Sequence, residues 1–313
     1  QPHSESAQSE RASKASTAGA YSSPETYRSQ EAAWTTFLGH VLRGAREGAE
    51  NQDDALSATL LKLPDEVTLA QHMTDLDPAR MYASRTHLMT QVQTCFASEM
   101  AEVYARTTRA ADVDTANSRS ARRLKNVMLS YLSGLPGYTD LAVQQYASAS
   151  GMTDRLAALQ ALVNSAHPQA ADCLGDFYER FRTNALVVDK WFSVQAASKA
   201  EGALKAVEQL VQHPAFQISN PNRLRALVGV FAVRNLSVFH DISGKGYDLL
   251  ADIILSVDKL NPQMAARFVA PLGSWKQFEV QRSNYMKNKL RHLSEQTSLS
   301  SDTRELVDKA LGA

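Results

Sequence analysis

From Gln30 to the C-terminus, apolar side chains recur at helical spacing, and short clusters containing Pro, Gly or Asn interrupt them repeatedly. Trp34, Phe37, Leu38, Val41 and Leu42 fall at i, i+3, i+4, i+7 and i+8, one apolar face of a helix. Asp77-Pro78 supplies an N-cap and a proline at the first helical position. Met81, Leu88, Val92, Phe96, Val103 and Tyr104 then predict a helix of about 28 residues, the longest element. Leu124, Val127, Met128, Tyr131 and Leu132 form the next stripe, which Gly134-Leu135-Pro136-Gly137 terminates. Thr139 is positioned to cap a short helix that stops near Gly151. Thr153 is positioned to cap another, carrying Leu156, Leu159, Leu162 and Val163 up to Pro168. Further helices are predicted at about 169–183, 185–197, 200–213, 221–235, 246–259, 262–275, 278–295 and 301–312.

No pair of alternating apolar and polar stretches supports a hairpin, and 14 glycines are too few for a parallel sheet with glycine-rich phosphate loops. Consecutive helices joined by short turns pack antiparallel. A long series of them therefore predicts an all-α fold, an irregular α-superhelix of antiparallel helical hairpins shaped as an ARM/HEAT-like bowl. Residues 31–313 read as one domain. Residues 1–30 hold eight serines, two prolines and no Leu, Ile, Val, Phe or Met. Such a segment buries too little apolar area to offset the entropy of ordering, and it reads as a disordered linker. Its place in front of a patterned body suggests a chain that begins inside an interdomain connection.

The charges exclude some partners. Thirty-three basic side chains balance 33 acidic ones, whereas a nucleic-acid binder needs a basic surplus; Arg122-Arg123-Lys125 is the strongest local patch and remains a weak one. No apolar run approaches the roughly 18 residues of a membrane span, so no membrane partner is expected. Cys95 and Cys173 are the only cysteines. They cannot build a disulfide framework or a cysteine zinc cluster, and a reducing, cytoplasmic compartment is the simpler expectation. Both sit among apolar helical neighbours and are expected to be buried, inert thiols.

Local catalytic signatures are missing as well. The eight histidines are never closer than 15 residues, so H-E-x-x-H and related zinc spacings do not occur, and each histidine reads as a structural or solvated residue. G-x-S-x-G and G-x-x-x-x-G-K-[ST] are also absent. No catalytic residue and no metal ligand is assigned.

Two proline-led helix starts carry more information. In Ser219 to Arg225 (SNPNRLR), Asn220 caps and Pro221 takes the first helical position, so Arg223 and Arg225 project about 200° apart. In Asn261 to Arg267 (NPQMAAR), the same cap puts Gln263 and Arg267 four residues apart on one face. The spacing alone leaves two readings: arginines in ordinary surface ion pairs, or arginines lining a polar cavity where their fork of donors receives a carboxylate or carbonyls. Between these helices, Phe239 to Tyr247 (FHDISGKGY) reads as a tight connection using glycine for positive φ, with phosphate binding the weaker alternative. Trp191 and Phe192, in Leu186 to Phe192 (LVVDKWF), read as packing anchors.

These stretches resemble the C-terminal helical domain of the aminopeptidase N family of zinc metalloaminopeptidases. The matching runs are Leu60 to Asp65, Met152 to Leu159, Leu186 to Phe192, Ser219 to Phe231, the turn ending at Tyr247, and Asn261 to Leu272. The resemblance implies a helical bowl that closes over a separate catalytic domain of the same polypeptide. That domain would bear the zinc, its H-E-x-x-H ligands and the G-A-M-E-N motif for the substrate's amino end. The chain would then be the noncatalytic cap and substrate channel of an enzyme that removes N-terminal residues from short peptides, with no cofactor of its own. By position in the motifs, Gln263 resembles a residue near the pocket for the first substrate side chain, and Arg225 and Arg267 resemble arginines facing the channel. The Ser-rich start is not part of the resemblance. The competing expectation is a stand-alone α-solenoid interaction module with no catalysis.

Overall fold

The computed structural model describes residues 24–48, 53–110 and 116–312. Among them the chain is a succession of helices with no strand; the only sheet-like feature is a single parallel bridge between Leu76 and Phe278. The expected 1–30 linker lies outside the described residues as far as residue 23, and the first helix begins at Pro24.

Helices that follow one another in sequence pack side by side, as the periodic stripes require. The longest helix, Pro78–Ala110, starts where the Asp77 carboxylate accepts from the backbone N–H of Ala79 (3.0 Å) and Arg80 (3.3 Å). It bends at Phe96 (φ −130°, ψ 21°) and packs along Ala116–Leu132 and against Pro24–Glu47.

Two apolar cores result. The smaller gathers Leu38, Leu42, Met100, Val103, Leu124, Met128 and Leu132 from the first helices. The larger runs from Ala70 to Val307, with Phe177, Phe192, Phe231, Phe239 and Tyr247 among its fully buried side chains. Tyr104 and Leu141 pack against both. A buried polar cluster lies beside this seam: Lys125 Nζ meets Asp154 Oδ2 at 2.5 Å, Asn126 donates to Asp154 Oδ1 (2.9 Å), Gln145 donates to Asn126 Oδ1 (2.8 Å), and Tyr104 donates to Gln145 Oε1 (3.0 Å). Lys125 is therefore a buried partner of Asp154, and Arg122-Arg123-Lys125 is not a continuous basic surface.

Several local expectations need correction. Thr139 adopts αR geometry and makes no cap hydrogen bond; its helix begins at Asp140. Thr153 lies inside the helix Met152–Asn164, which starts after the extended Gly151 without a side-chain cap. The single helix expected over 262–275 is divided into Pro262–Phe268, Ala270–Gly273 and a 3₁₀ turn Trp275–Gln277, because Pro271 cannot donate to the preceding turn. Cys173 is buried, but Cys95 is exposed.

Candidate functional site

The helix that begins at Pro221 defines the site. Asn220 is extended (φ −87°, ψ 112°), and its Oδ1 accepts from the N–H groups of Asn222 (3.0 Å) and Arg223 (3.3 Å). After Pro221–Leu224 the chain forms a π turn, Arg225–Gly229, with the Val230 N–H reaching Arg225 O five residues back, and then continues as Val230–Arg234. The extra residue per turn re-aims the side chains that follow, a device often found at functional sites. Pro221, Arg225, Gly229, Ala232 and Val233 line one side of this helix and border a cavity of about 890 Å³. Arg223 points the other way, as its spacing predicts. It is buried, pairs with Asp189 Oδ1 at 2.7 Å and lies over the Phe192 ring.

The facing wall is the helix Pro262–Phe268. Asn261 caps it through the Met264 N–H (3.0 Å), and Gln263 and Arg267 both reach the same cavity. The structure thus brings together the three residues that the family resemblance points to, Arg225, Gln263 and Arg267. All three are exposed to the cavity. Arg225 is held by its own helix, donating to Pro221 O (3.0 Å) and Asn222 Oδ1 (3.1 Å). Gln263 and Arg267 have no hydrogen-bond or ion-pair partner among the described residues. Among the described residues no Asp, Glu or Lys lines the cavity, so its charge there comes from two guanidinium groups with no carboxylate beside them. Such a space favours ligands rich in oxygen acceptors, and carboxylates above all.

A third wall comes from far away in the sequence and carries no motif. Val67, Ala70, Gln71 and Leu76 lie beside the cavity, held there by three ties. Gln277 Nε2 donates to Ala70 O (2.5 Å); the Leu76 bridge is closed by Leu76 N–H to Gln277 O (2.8 Å) and Glu279 N–H to Leu76 O (3.1 Å); and buried Glu66 pairs with Lys199 Nζ (2.5 Å). Burial lowers the Lys199 pKa, only partly opposed by Glu66.

His240 also borders the cavity and is 2% exposed. Its ring stacks on Phe278 with centroids 4.1 Å apart, and its Nδ1 is 3.0 Å from the Tyr247 hydroxyl. Burial first, and the nearby Arg282 second, hold its pKa down at about 3. Arg282 donates to His240 O (2.5 Å) and is itself matched by Asp77 (3.3 Å) and Glu279 (3.0 Å). The spacing rules gave His240 no special place; burial and ring contacts are tertiary facts. The connection after it is tight, as expected. Gly244 sits at φ +73°, and a Cβ on Gly246 would lie 2.2 Å from Phe239 O. Those glycines are accounted for by backbone packing, which removes the basis for a phosphate cradle.

A second cavity of about 850 Å³ lies between Pro24–Glu47 and Pro78–Ala110, with Cys95 on its wall. Its chemistry is mixed. Glu31 faces His87 at 3.9 Å, Arg43 bonds His40 Nδ1 (2.9 Å), and Thr35, Thr36, Thr90 and Thr94 donate to carbonyls four residues back in their own helices.

Comparison with known proteins places this geometry in context. A family model described as "Domain of unknown function (DUF3458_C) ARM repeats" matches residues 7–312, starting inside the Ser-rich segment. Aminopeptidase N of Haemophilus influenzae is 35% identical over 276 residues, 88% of this chain and 31% of that protein. Aminopeptidase N of Caulobacter vibrioides is 37% identical over 263 residues, 83% and 30% respectively. Aminopeptidase N of Escherichia coli is 34% identical over 264 residues, 84% and 30%. The chain thus spans about a third of the length of these relatives. A crystal structure of Legionella pneumophila aminopeptidase A in complex with aspartic acid shares the fold, with a TM-score of 0.79 at 24% identity over 92% of this chain and 37% of that one.

Proposed function

The chain belongs to the DUF3458_C ARM-repeat family, the C-terminal domain of aminopeptidase N, and from that premise we propose that it forms the noncatalytic cap and substrate channel of a zinc aminopeptidase acting on short peptides. The observation that carries this reading is the convergence of Arg225, Gln263 and Arg267 on one cavity without an acidic side chain. Bound there, a peptide offers its carboxylate or carbonyls to the arginines, and Gln263 borders the space for the first side chain. The guanidinium forks are exposed in this domain, so their attraction is screened. A catalytic domain closing over the cavity would exclude water and strengthen it.

The residues present do not suit the metal. Among the described residues no three His, Cys, Asp or Glu side chains are grouped to hold an ion. No zinc ligand is therefore assigned among these residues, and no hydrolytic step is derived from them. In this reading the hydrolysis takes place on a partner domain of the same polypeptide. A cytoplasmic setting is part of the proposal and rests on the two unpaired cysteines. No described helix is long and apolar enough to cross a membrane.

The test uses the complete enzyme. Arg267→Ala is expected to lower kcat/KM for a free-carboxylate dipeptide about tenfold, the worth of one exposed charge-assisted contact, while an aminoacyl anilide loses little. Equal losses on both substrates would assign Arg267 to packing. If the coding sequence upstream of Gln1 lacks H-E-x-x-H, the exopeptidase reading fails and the stand-alone interaction module replaces it.

A further inference from the structure

The two arginines leave His240 unexplained. His240 is almost wholly buried, yet it borders the cavity. Its Nδ1 faces the Tyr247 hydroxyl, and Nε2, on the other edge of the ring, has no partner among the described residues. The ring is locked in place by Phe278 on one face and by Phe239 edge-on at 4.7 Å. These contacts favour the orientation in which Nδ1 meets Tyr247.

The tautomer follows from the Tyr247 side. Tyr247 is 0% exposed, and its hydroxyl has His240 Nδ1 as its only partner among the described residues. If Nδ1 carried the proton, it would donate to the phenolic oxygen and the phenol's own proton would be buried without an acceptor. If the phenol donates to Nδ1, both atoms of that buried contact are satisfied, and the imidazole proton must sit on Nε2, at the cavity edge of the ring. Nε2–H then faces the same space as Arg225 and Arg267. Protonation of both nitrogens is opposed by burial and by Arg282, whose charge lies at the His240 carbonyl.

We propose that His240 is a third, uncharged donor of the arginine cavity, whose Nε2–H, fixed in that tautomer by the positioning residue Tyr247, donates to a main-chain carbonyl oxygen of the bound peptide. A neutral donor matches a neutral carbonyl, while the arginines match the terminal carboxylate. The assignment rests on the peptide-channel reading of the same cavity. It adds a separation of tasks within it: charge recognition by guanidinium, and main-chain recognition by a proton that neutral pH does not remove.

The experiment is nitrogen-15 NMR of this chain with labelled histidine and arginine. The free protein should show His240 Nε2 protonated and Nδ1 unprotonated; the opposite assignment overturns the proposal. Alanyl-alanine and its C-terminal amide are then titrated. Saturable movement of the His240 Nε2 resonance with both ligands, and weaker binding of the acid alone in Arg267→Ala, is the expected result. If Arg267 responds to the dipeptide while His240 Nε2 does not, this inference fails and the channel reading stands. If neither responds, both fail. Tyr247→Phe, which frees Nδ1, should produce a mixture of tautomers and weaken the amide about fivefold, the worth of roughly one neutral hydrogen bond. An unchanged tautomer in that variant would remove Tyr247 from its assigned role.

Discussion

The helix beginning at Pro221 separates two regions that receive nearly the same side chain. On one side Arg223 lies among Asp189, Phe192, Trp191 and His213; on the other, two residues later, Arg225 enters the cavity with Arg267 and Gln263. In the inner region the charge is matched, although Arg223 Nε is buried without a partner. Arg223 has its carboxylate, the Trp191 indole N–H donates to Leu174 O (2.9 Å), and His213 Nδ1 accepts from the Ala215 N–H (3.1 Å). The cavity differs in this, since its guanidinium groups have no counter-charge among the described residues. Residue type does not distinguish an arginine paired within the fold from one facing open space. The presence or absence of a carboxylate within reach does, because a paired cation has already spent its attraction on the fold.

If this contrast is correct, mutations on the inner side cost stability and those on the cavity side cost recognition. The largest effect is expected for Trp191→Ala, about 4 kcal/mol in urea unfolding through the cavity left in the aromatic cluster. Arg223→Ala should follow at about 3 kcal/mol because it strands the Asp189 carboxylate. The double variant with Asp189→Ala should recover part of that loss; strict additivity would mean that the pair is not coupled.

Acid gives the next effect. The unfolded chain protonates His240 below about 6.5 and the folded chain only below about 3. Between those values the unfolded state holds the extra proton, so stability falls as pH is lowered, by about 2 kcal/mol from pH 6.5 to about pH 5. His213, whose pKa is also lowered by burial and by Arg223, adds a slope of the same sign. His240→Gln should flatten the profile measured by chemical denaturation, and an unaltered slope would show that His240 takes up its proton equally in the folded and unfolded chains.

The smallest stability effects are expected on the cavity side. Arg225→Ala and Arg267→Ala should each stay within about 0.5 kcal/mol of the parent, as exposed side chains without buried partners. Losses as large as that of Arg223→Ala would erase the distinction between the two sides. In the complete enzyme, Gln263→Ala should change the preference for the first substrate side chain without lowering the melting temperature; an unchanged profile would remove Gln263 from that pocket.

Much of the cavity could be read locally. Asn220-Pro221 and Asn261-Pro262 are start signals whose action is confined to one helical turn, so the facing directions of Arg223, Arg225, Gln263 and Arg267 followed from residue spacing. The same rule misjudged Thr139 and Thr153 because it names residues able to cap and does not weigh them against the backbone: Gly151 takes the extended cap position itself, and Thr139 is already turned into αR geometry. Cys95 was read from apolar neighbours, but it lies just before the bend at Phe96, where the helix face no longer follows an ideal period. Gln277, His240 and the Leu76 wall left no local signal. Their roles depend on contacts such as Gln277 with Ala70, whose residues are separated by most of the chain.

The sequence by itself determined an all-helical chain, the order of its main helices, the two capped starts and the side of each helix that its arginines occupy, since all of these are settled within a turn or two of backbone. Only the tertiary structure decided that two of those faces meet across one cavity, that a distant segment closes its side, and which arginine finds a carboxylate. Helix periodicity specifies direction about an axis. Charge neutralisation and burial depend on what the other helices bring to the same place.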